Sequence, residues 1–168
     1  MQAHAHDTYL EAGTAAYRRA NLAVFLGGFA CFAMLYGTQP LLPLLAQTFD
    51  VSPTHASLSV SFGTGALACA LIPASLLSDR FGRLALMRGA LALAAIGSLL
   101  CPFVTSFDQL LILRALVGAA LAGLPAAAMA YLGEEVAPNA QGRAMGLYIA
   151  GNAFGGMSGR FISAVITD

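Results

Sequence analysis

The chain has 168 residues, of which 58% are hydrophobic and 10% charged, with 18 glycines and no tryptophan. A soluble globular domain carries about 25% charged residues, so the composition excludes one and describes a chain built for a membrane. Eight arginines balance eight acids and lysine is absent; the net charge selects no partner, nucleic acid is not expected to be one, and only the placement of the charges informs.

Residues 1–21 form a polar tail that ends in Arg18 and Arg19. Its His4 and His6 are two histidines in a polar tail, and no metal site is read from them. Five long apolar stretches follow, at 22–45, 54–77, 84–104, 110–132 and 144–166. Each reaches the roughly 20 residues that a helix needs to cross about 30 Å of hydrocarbon. The first exceeds the about 7 to 15 residues of a signal-peptide core and is read as an uncleaved span. The connections, AQTFDVSP, SDRFGR, TSFDQ and GEEVAPNAQGR, are short and rich in turn formers. Backbone groups facing lipid must be satisfied within each span, so the pattern predicts an all-α membrane protein of five transmembrane helices. Cys31, Cys69 and Cys101 fall inside spans, where thiols pack as small hydrophobes; neither a disulfide nor a metal is expected.

In the first span Gly37, Pro40 and Pro43 predict a bend near its outer end. Tyr36 and Gln39 stand beside that bend, as an interhelical hydrogen bond or as the lining of a cavity. The second connection, SDRFGR, is a tight turn in which Gly82 supplies the geometry and Asp79 is expected to cap the start of the third span. Arg18, Arg19, Arg80, Arg83 and Arg143 occupy the tail and the second and fourth connections, while the first and third connections have no basic residue. The positive-inside bias therefore predicts a cytoplasmic N-terminus, with Asp50, Asp108 and Asp168 outside.

Asp79, Arg80 and Arg83 on one connection can meet Glu134, Glu135 and Arg143 on the other. Exposed ion pairs add little to stability, so such a network makes better sense as a latch between two states of similar energy. Within the spans the only charges are Arg88, Arg114 and Arg160. Arg88 is near enough to the cytoplasmic edge to snorkel. Arg114 and Arg160 enter from the outer side, against the bias, and a mid-span arginine costs roughly 2.5–3.5 kcal/mol on insertion scales. Arg114 is read either as a snorkelling anchor or as a fixed charge that lowers the pKa of a nearby carboxylate or holds an anionic substrate group. In the fifth span Gly151, Gly155, Gly159 and Ser163 make one row of small residues, and Gly142, Gly146 and Ala150 a second. Such rows let helix backbones approach closely. Asn152 lies in the first row, as a hydrogen bond between helices or a cavity-lining amide.

Three segments carry a resemblance. SLLSDRFGRL, residues 75–84, resembles the signature G-x-x-x-D-R-x-G-R-R between the second and third helices of the major facilitator superfamily, with Asp79, Arg80, Gly82 and Arg83 matching. Ser75 stands for its first glycine and Leu84 for its last basic residue. RALVGAALAG, residues 114–123, is similar to the family's intramembrane arginine motif through Arg114 and Gly118. GLYIAGNAFGGMSGRFISA, residues 146–164, resembles the antiporter signature through Gly146, Gly155 and Gly159, with Arg160 at its proline and Ser163 and Ala164 at its glycine pair. The first span resembles that of bacterial inner-membrane efflux permeases of the drug:proton antiporter branch, and the likeness covers 22–168.

The resemblance implies five of the six helices of an N-terminal transporter half, with a C-terminal half missing and the substrate site between the halves near the midplane. It implies a conformational gate at the aspartate–arginine turn, and a glycine face on which the halves slide. The function expected is proton-coupled efflux of a small organic compound across the inner membrane. Uptake of a metabolite by a symporter or uniporter is a first alternative, and a non-transporting five-span scaffold or assembly subunit is a second. No span holds Asp or Glu, so a proton-carrying carboxylate is expected from the missing part. No nucleophile–base pair, metal cluster or phosphate loop is visible, and the spans offer only His55 at an outer edge. Neither an enzyme nor a cofactor is expected.

Overall fold

Thr14 starts the first helix, its hydroxyl accepting the N–H of Tyr17 at 3.1 Å. That cap, followed by two alanines and the paired arginines, all good helix formers, begins α1 (Ala15–Tyr36) well before the apolar boundary at residue 22. Arg18 and Arg19 therefore ride on a helix and not in a tail. The computed structural model describes residues 9–167; His4, His6 and Asp168 lie outside them. Upstream of the cap, Leu10 pairs with the connection near Val136, donating to the Glu135 carbonyl at 2.7 Å and accepting from the Ala137 N–H at 3.2 Å. Gly13, at φ +92°, turns the chain from that contact into α1.

The bend expected in the first span is present. α1 ends with the Gly37 N–H on the Ala33 carbonyl, and a 3-10 turn, Gln39–Leu41, leads to α2 (Leu42–Thr48), with Pro43 in its first turn. Proline lacks the N–H that would extend the α1 ladder. Ser52 caps α3 (Pro53–Ala56), which leads into α4 (Leu58–Phe81). Between α4 and α5 (Arg83–Leu100) the connection is Gly82 alone, at φ +88°, a region that L side chains rarely adopt. Asp79 accordingly lies in the last turn of α4 and does not cap α5: the turn is so short that no residue is left outside the helices to act as a side-chain cap.

Ser106 caps α6 (Phe107–Leu121), and after Ala122 the chain resumes as α7 (Gly123–Glu135). The break follows from Pro125, which cannot donate to the carbonyl of Leu121 four residues back. The Cys31 thiol, at 3.8 Å, takes that place. α8 (Gln141–Thr167) completes the chain. The Gln141 amide donates to the carbonyls of Gly133 at 2.7 Å and Val136 at 3.0 Å, closing the end of α7.

Among the described residues all regular structure is helical. Four segments are long and apolar enough to cross a membrane: Ala15–Thr48, Pro53–Phe81, Arg83–Phe103 and Phe107–Glu135. α8 has 27 residues, and its glycines, serines and arginines make it less apolar than those four. α1 and the α6–α7 segment form the centre, where Cys31, Leu35, Val117, Leu121, Leu124 and Leu132 are buried together. Large apolar side chains such as Ile72, Leu99, Phe103 and Ile166 point outward, as a bundle solvated by lipid requires.

α1 packs on α8, and α4 on α6. Both contacts are made by glycine. A Cβ on Gly155 would come within 2.6 Å of the Phe29 Cα, and one on Gly159 within 2.8 Å of the Ala33 Cα. A Cβ on Gly118 would meet the backbone of Gly63. The row Gly151, Gly155 and Gly159 is thus a close helix contact, as its spacing led one to expect, and the helix it meets is α1 of the same chain and not the other half that the resemblance implied. Gly146, in the second row, has nothing near it and makes no helix contact here.

Candidate functional site

Arg83 is placed by Gly82 at the junction of three helix ends. Its Nε donates to Glu134 Oε2 at 2.6 Å and its Nη2 to Glu134 Oε1, a two-bond fork that ties the start of α5 to the end of α7. Nη2 also lies 3.4 Å from Asp79 Oδ1, and Nη1 donates to Ser78 Oγ at 3.4 Å, on the last turn of α4. The carboxylates of Asp79 and Glu134 are exposed to solvent while Ser78 is buried. Paired N–H donors in the plane of a guanidinium match a carboxylate in both geometry and charge.

The rest of the expected network does not assemble. Arg80 lies over the ring of Phe81, with Cζ 5.6 Å from its centre. Among the described residues neither Arg80 nor Arg143 has an acid within ion-pair distance. Arg143 instead lines an open groove of about 570 Å³ between α1 and α8, with Arg18, Asn21 and Gly146. The i and i+4 spacing of Asp79 and Arg83 puts them on one helical face, and Glu134 is the acid that the fold brings to that face.

At the opposite end of the bundle two arginines converge on the end of α1. Arg114 is 3% exposed and points into the bundle. Its Nη1 donates to the Met34 carbonyl at 3.3 Å, Nη2 to Leu35 at 2.8 Å and Nε to Ser59 at 3.2 Å. Met34 and Leu35 are among the last carbonyls of α1, left without successors by the break at Gly37. The snorkelling reading of Arg114 is therefore overturned, and among the described residues no carboxylate pairs with it. Arg160 is exposed and its Cζ lies over the ring of Tyr36, 4.6 Å from the centre. Gly156 makes room for that ring, since a Cβ there would come within 3.3 Å of Tyr36 Cδ2. Gln39 opens the 3-10 turn that packs on α8.

Between these two ends, Asn152 and Tyr148 stand one turn apart on α8. Among the described residues the Asn152 Oδ1 and the Tyr148 hydroxyl are buried without a hydrogen-bond partner in ordinary geometry. Gly28 of α1 leaves the space they occupy, because a Cβ there would run into the amide and come within 2.9 Å of the Tyr148 ring.

Sequence reasoning missed Ser59, Gly63, Gly28 and the break at Pro125. Ser59 and Gly63 are four residues apart, the same small-residue spacing that singled out α8, so that signal was present. Gly28 gave none, since its importance comes from what α8 puts opposite it.

Residues 24–168 match the family model described as Major Facilitator Superfamily. The inner membrane transport protein YnfM of Escherichia coli (strain K12) is 47% identical over 162 residues, covering 96% of this chain and 39% of that protein. The MFS-type transporter YybF of Bacillus subtilis (strain 168) is 45% identical over 161 residues, covering 96% of this chain and 40% of that protein. The multidrug resistance protein MdtG of Proteus mirabilis (strain HI4320) is 32% identical over 156 residues, covering 86% of this chain and 38% of that protein. The chain thus spans about two fifths of the length of these curated relatives. No solved structure matches.

Proposed function

The chain belongs to the major facilitator superfamily of membrane transporters, and on that premise we propose that it forms the N-terminal part of a secondary active exporter of a small organic compound, driven by protons across a bacterial inner membrane. In this reading α8 is a fifth crossing, the arginine-rich end is cytoplasmic, and a C-terminal half supplies the other wall of the substrate site. The names of the relatives, an inner membrane transport protein and a multidrug resistance protein, support location and direction.

The observation that carries the reading is the Arg83 junction. One guanidinium joins the ends of α4, α5 and α7 through solvent-exposed carboxylates. Exposed pairs contribute little to bulk stability, so their worth lies in biasing two arrangements of the helices that they join. Gly82 permits this by starting α5 one residue after α4 ends.

The test is proton-driven transport in inverted vesicles containing the full-length gene product. Arg83→Lys keeps the charge and loses the fork, and should slow transport by about tenfold or more with near-normal insertion. Glu134→Gln should match it, and Asp79→Asn should be milder, because its contact with Arg83 is the longer one. Arg80→Lys should be tolerated, since lysine also stacks on an aromatic ring. Equal tolerance of the Arg83 and Arg80 substitutions would reduce both residues to topological anchors and remove the latch.

A further inference from the structure

The two arginines that flank the end of α1 are in different chemical states. Arg114 donates three hydrogen bonds to backbone carbonyls and is buried, so its donors serve the fold. Arg160 is exposed, and among the described residues it has no ion-pair partner. Its contact is the face of Tyr36. The guanidinium carries its N–H donors in one plane as a fixed fork, and the negative face of the ring beneath it stabilises its charge. The perch is itself built: Gly156 makes room for the Tyr36 ring, and the 3-10 turn that follows Tyr36 packs on α8. Ser163, one turn beyond Arg160, puts its hydroxyl 3.3 Å from where a Cβ on Gly37 would stand, so a second donor faces the same bend. Met157, one turn before, is exposed and apolar.

We propose that Arg160, held on Tyr36, binds the carboxylate of an amphiphilic organic anion, which makes such anions the substrate class of the transporter. The inference rests on the transporter reading above. It follows from a planar fork of donors that matches a carboxylate two bonds at a time, beside exposed apolar α8 side chains, Met157 and Phe161, suited to the rest of the molecule. Within the described spans Arg160 is the cation left free for this role, since Arg114 is spent on carbonyls and Arg88 lies toward the arginine-rich end of α5.

The test uses the purified full-length gene product and two probes with the same rings, 1-naphthoate and 1-naphthamide. Equilibrium binding of the wild-type protein should favour naphthoate by about tenfold or more. Arg160→Gln should abolish the preference by weakening naphthoate far more than naphthamide. Arg160→Lys should retain part of it. Tyr36→Phe should behave as wild type, and Tyr36→Leu should weaken naphthoate selectively. The proposal is overturned if the wild type shows no preference or binds no naphthoate. It is equally overturned if the preference survives in Arg160→Gln, as for a lipid anchor. Equal loss of both probes in Arg160→Gln, with a lower melting temperature, would mean that Arg160 pairs with a carboxylate elsewhere in the transporter, and would also overturn it. Proton-coupled flux is measured separately on the same preparation. Arg160-dependent naphthoate binding without such flux would sink the transporter reading and keep the anion site; flux without naphthoate preference would do the reverse.

Discussion

Met34 and Leu35, in the last turn of α1, have carbonyls that no later N–H among the described residues reaches, and Arg114 supplies donors at 3.3 and 2.8 Å. A buried acceptor left unsatisfied costs about 1–3 kcal/mol. Arg114→Ala should therefore lower the thermal midpoint of the purified protein by several degrees, and Arg114→Lys should recover only part of it, because one ammonium cannot span carbonyls on two helices. An Arg114→Ala protein that melts like wild type would show that the carbonyls find other donors. The sequence reading singled out this residue for being costly in a span. What it could not supply was the acceptor, because the acceptors are backbone atoms about 80 positions away in the chain, and backbone carbonyls leave no mark in a sequence.

At the scale of elements, α8 carries two rows of small residues with the same four-residue period, and the fold uses one. Gly151, Gly155 and Gly159 seat on Phe25, Phe29 and Ala33, whereas Gly142 and Gly146 face open space. Alanine discriminates the rows. Gly155→Ala forces a methyl into the backbone of α1 and should destabilise by about 1–3 kcal/mol as overpacking, while Gly146→Ala meets nothing and should be neutral or stabilise by up to about 1 kcal/mol. Chemical or thermal unfolding of the two variants measures this, and equal effects would mean that the α1–α8 contact is not the one described. Periodicity revealed that α8 has a packing face; it could not say which of two equal rows meets α1, since that depends on the rotation of α8 about its own axis. The α6–α7 break was missed altogether: the proline stands in the sequence, but the Cys31 thiol that relieves the break leaves no sign there.

At the scale of the whole molecule, Asp108 opens α6 and Asn139 lies in the connection between α7 and α8, so the two exposed residues stand at opposite ends of the bundle. Single cysteines there, in a background lacking Cys31, Cys69 and Cys101, test the orientation. Cys31 is best replaced by serine, which keeps a donor for the Leu121 carbonyl. An impermeant thiol reagent should label position 108 from outside only and position 139 from inside only. Labelling of position 139 from outside would invert the topology drawn from the arginines.

Composition and the length of the apolar runs determined by themselves that this is a helical membrane chain, because hydrocarbon leaves the backbone no other partner than itself. The charge pattern and the D-R-x-G-R turn located the residues at the arginine-rich end, because Gly82 and the i and i+4 spacing are local constraints that act within a few residues. Only the tertiary structure decided the partners: Glu134 for Arg83, the end of α1 for Arg114, Tyr36 for Arg160 and α1 for the glycine row. Each pairing joins helices far apart in sequence, and in a bilayer, where apolar faces are all solvated alike by lipid, hydrophobicity does not choose among them. Close backbone contact and the satisfaction of buried polar groups do, and both exist only once the helices have met.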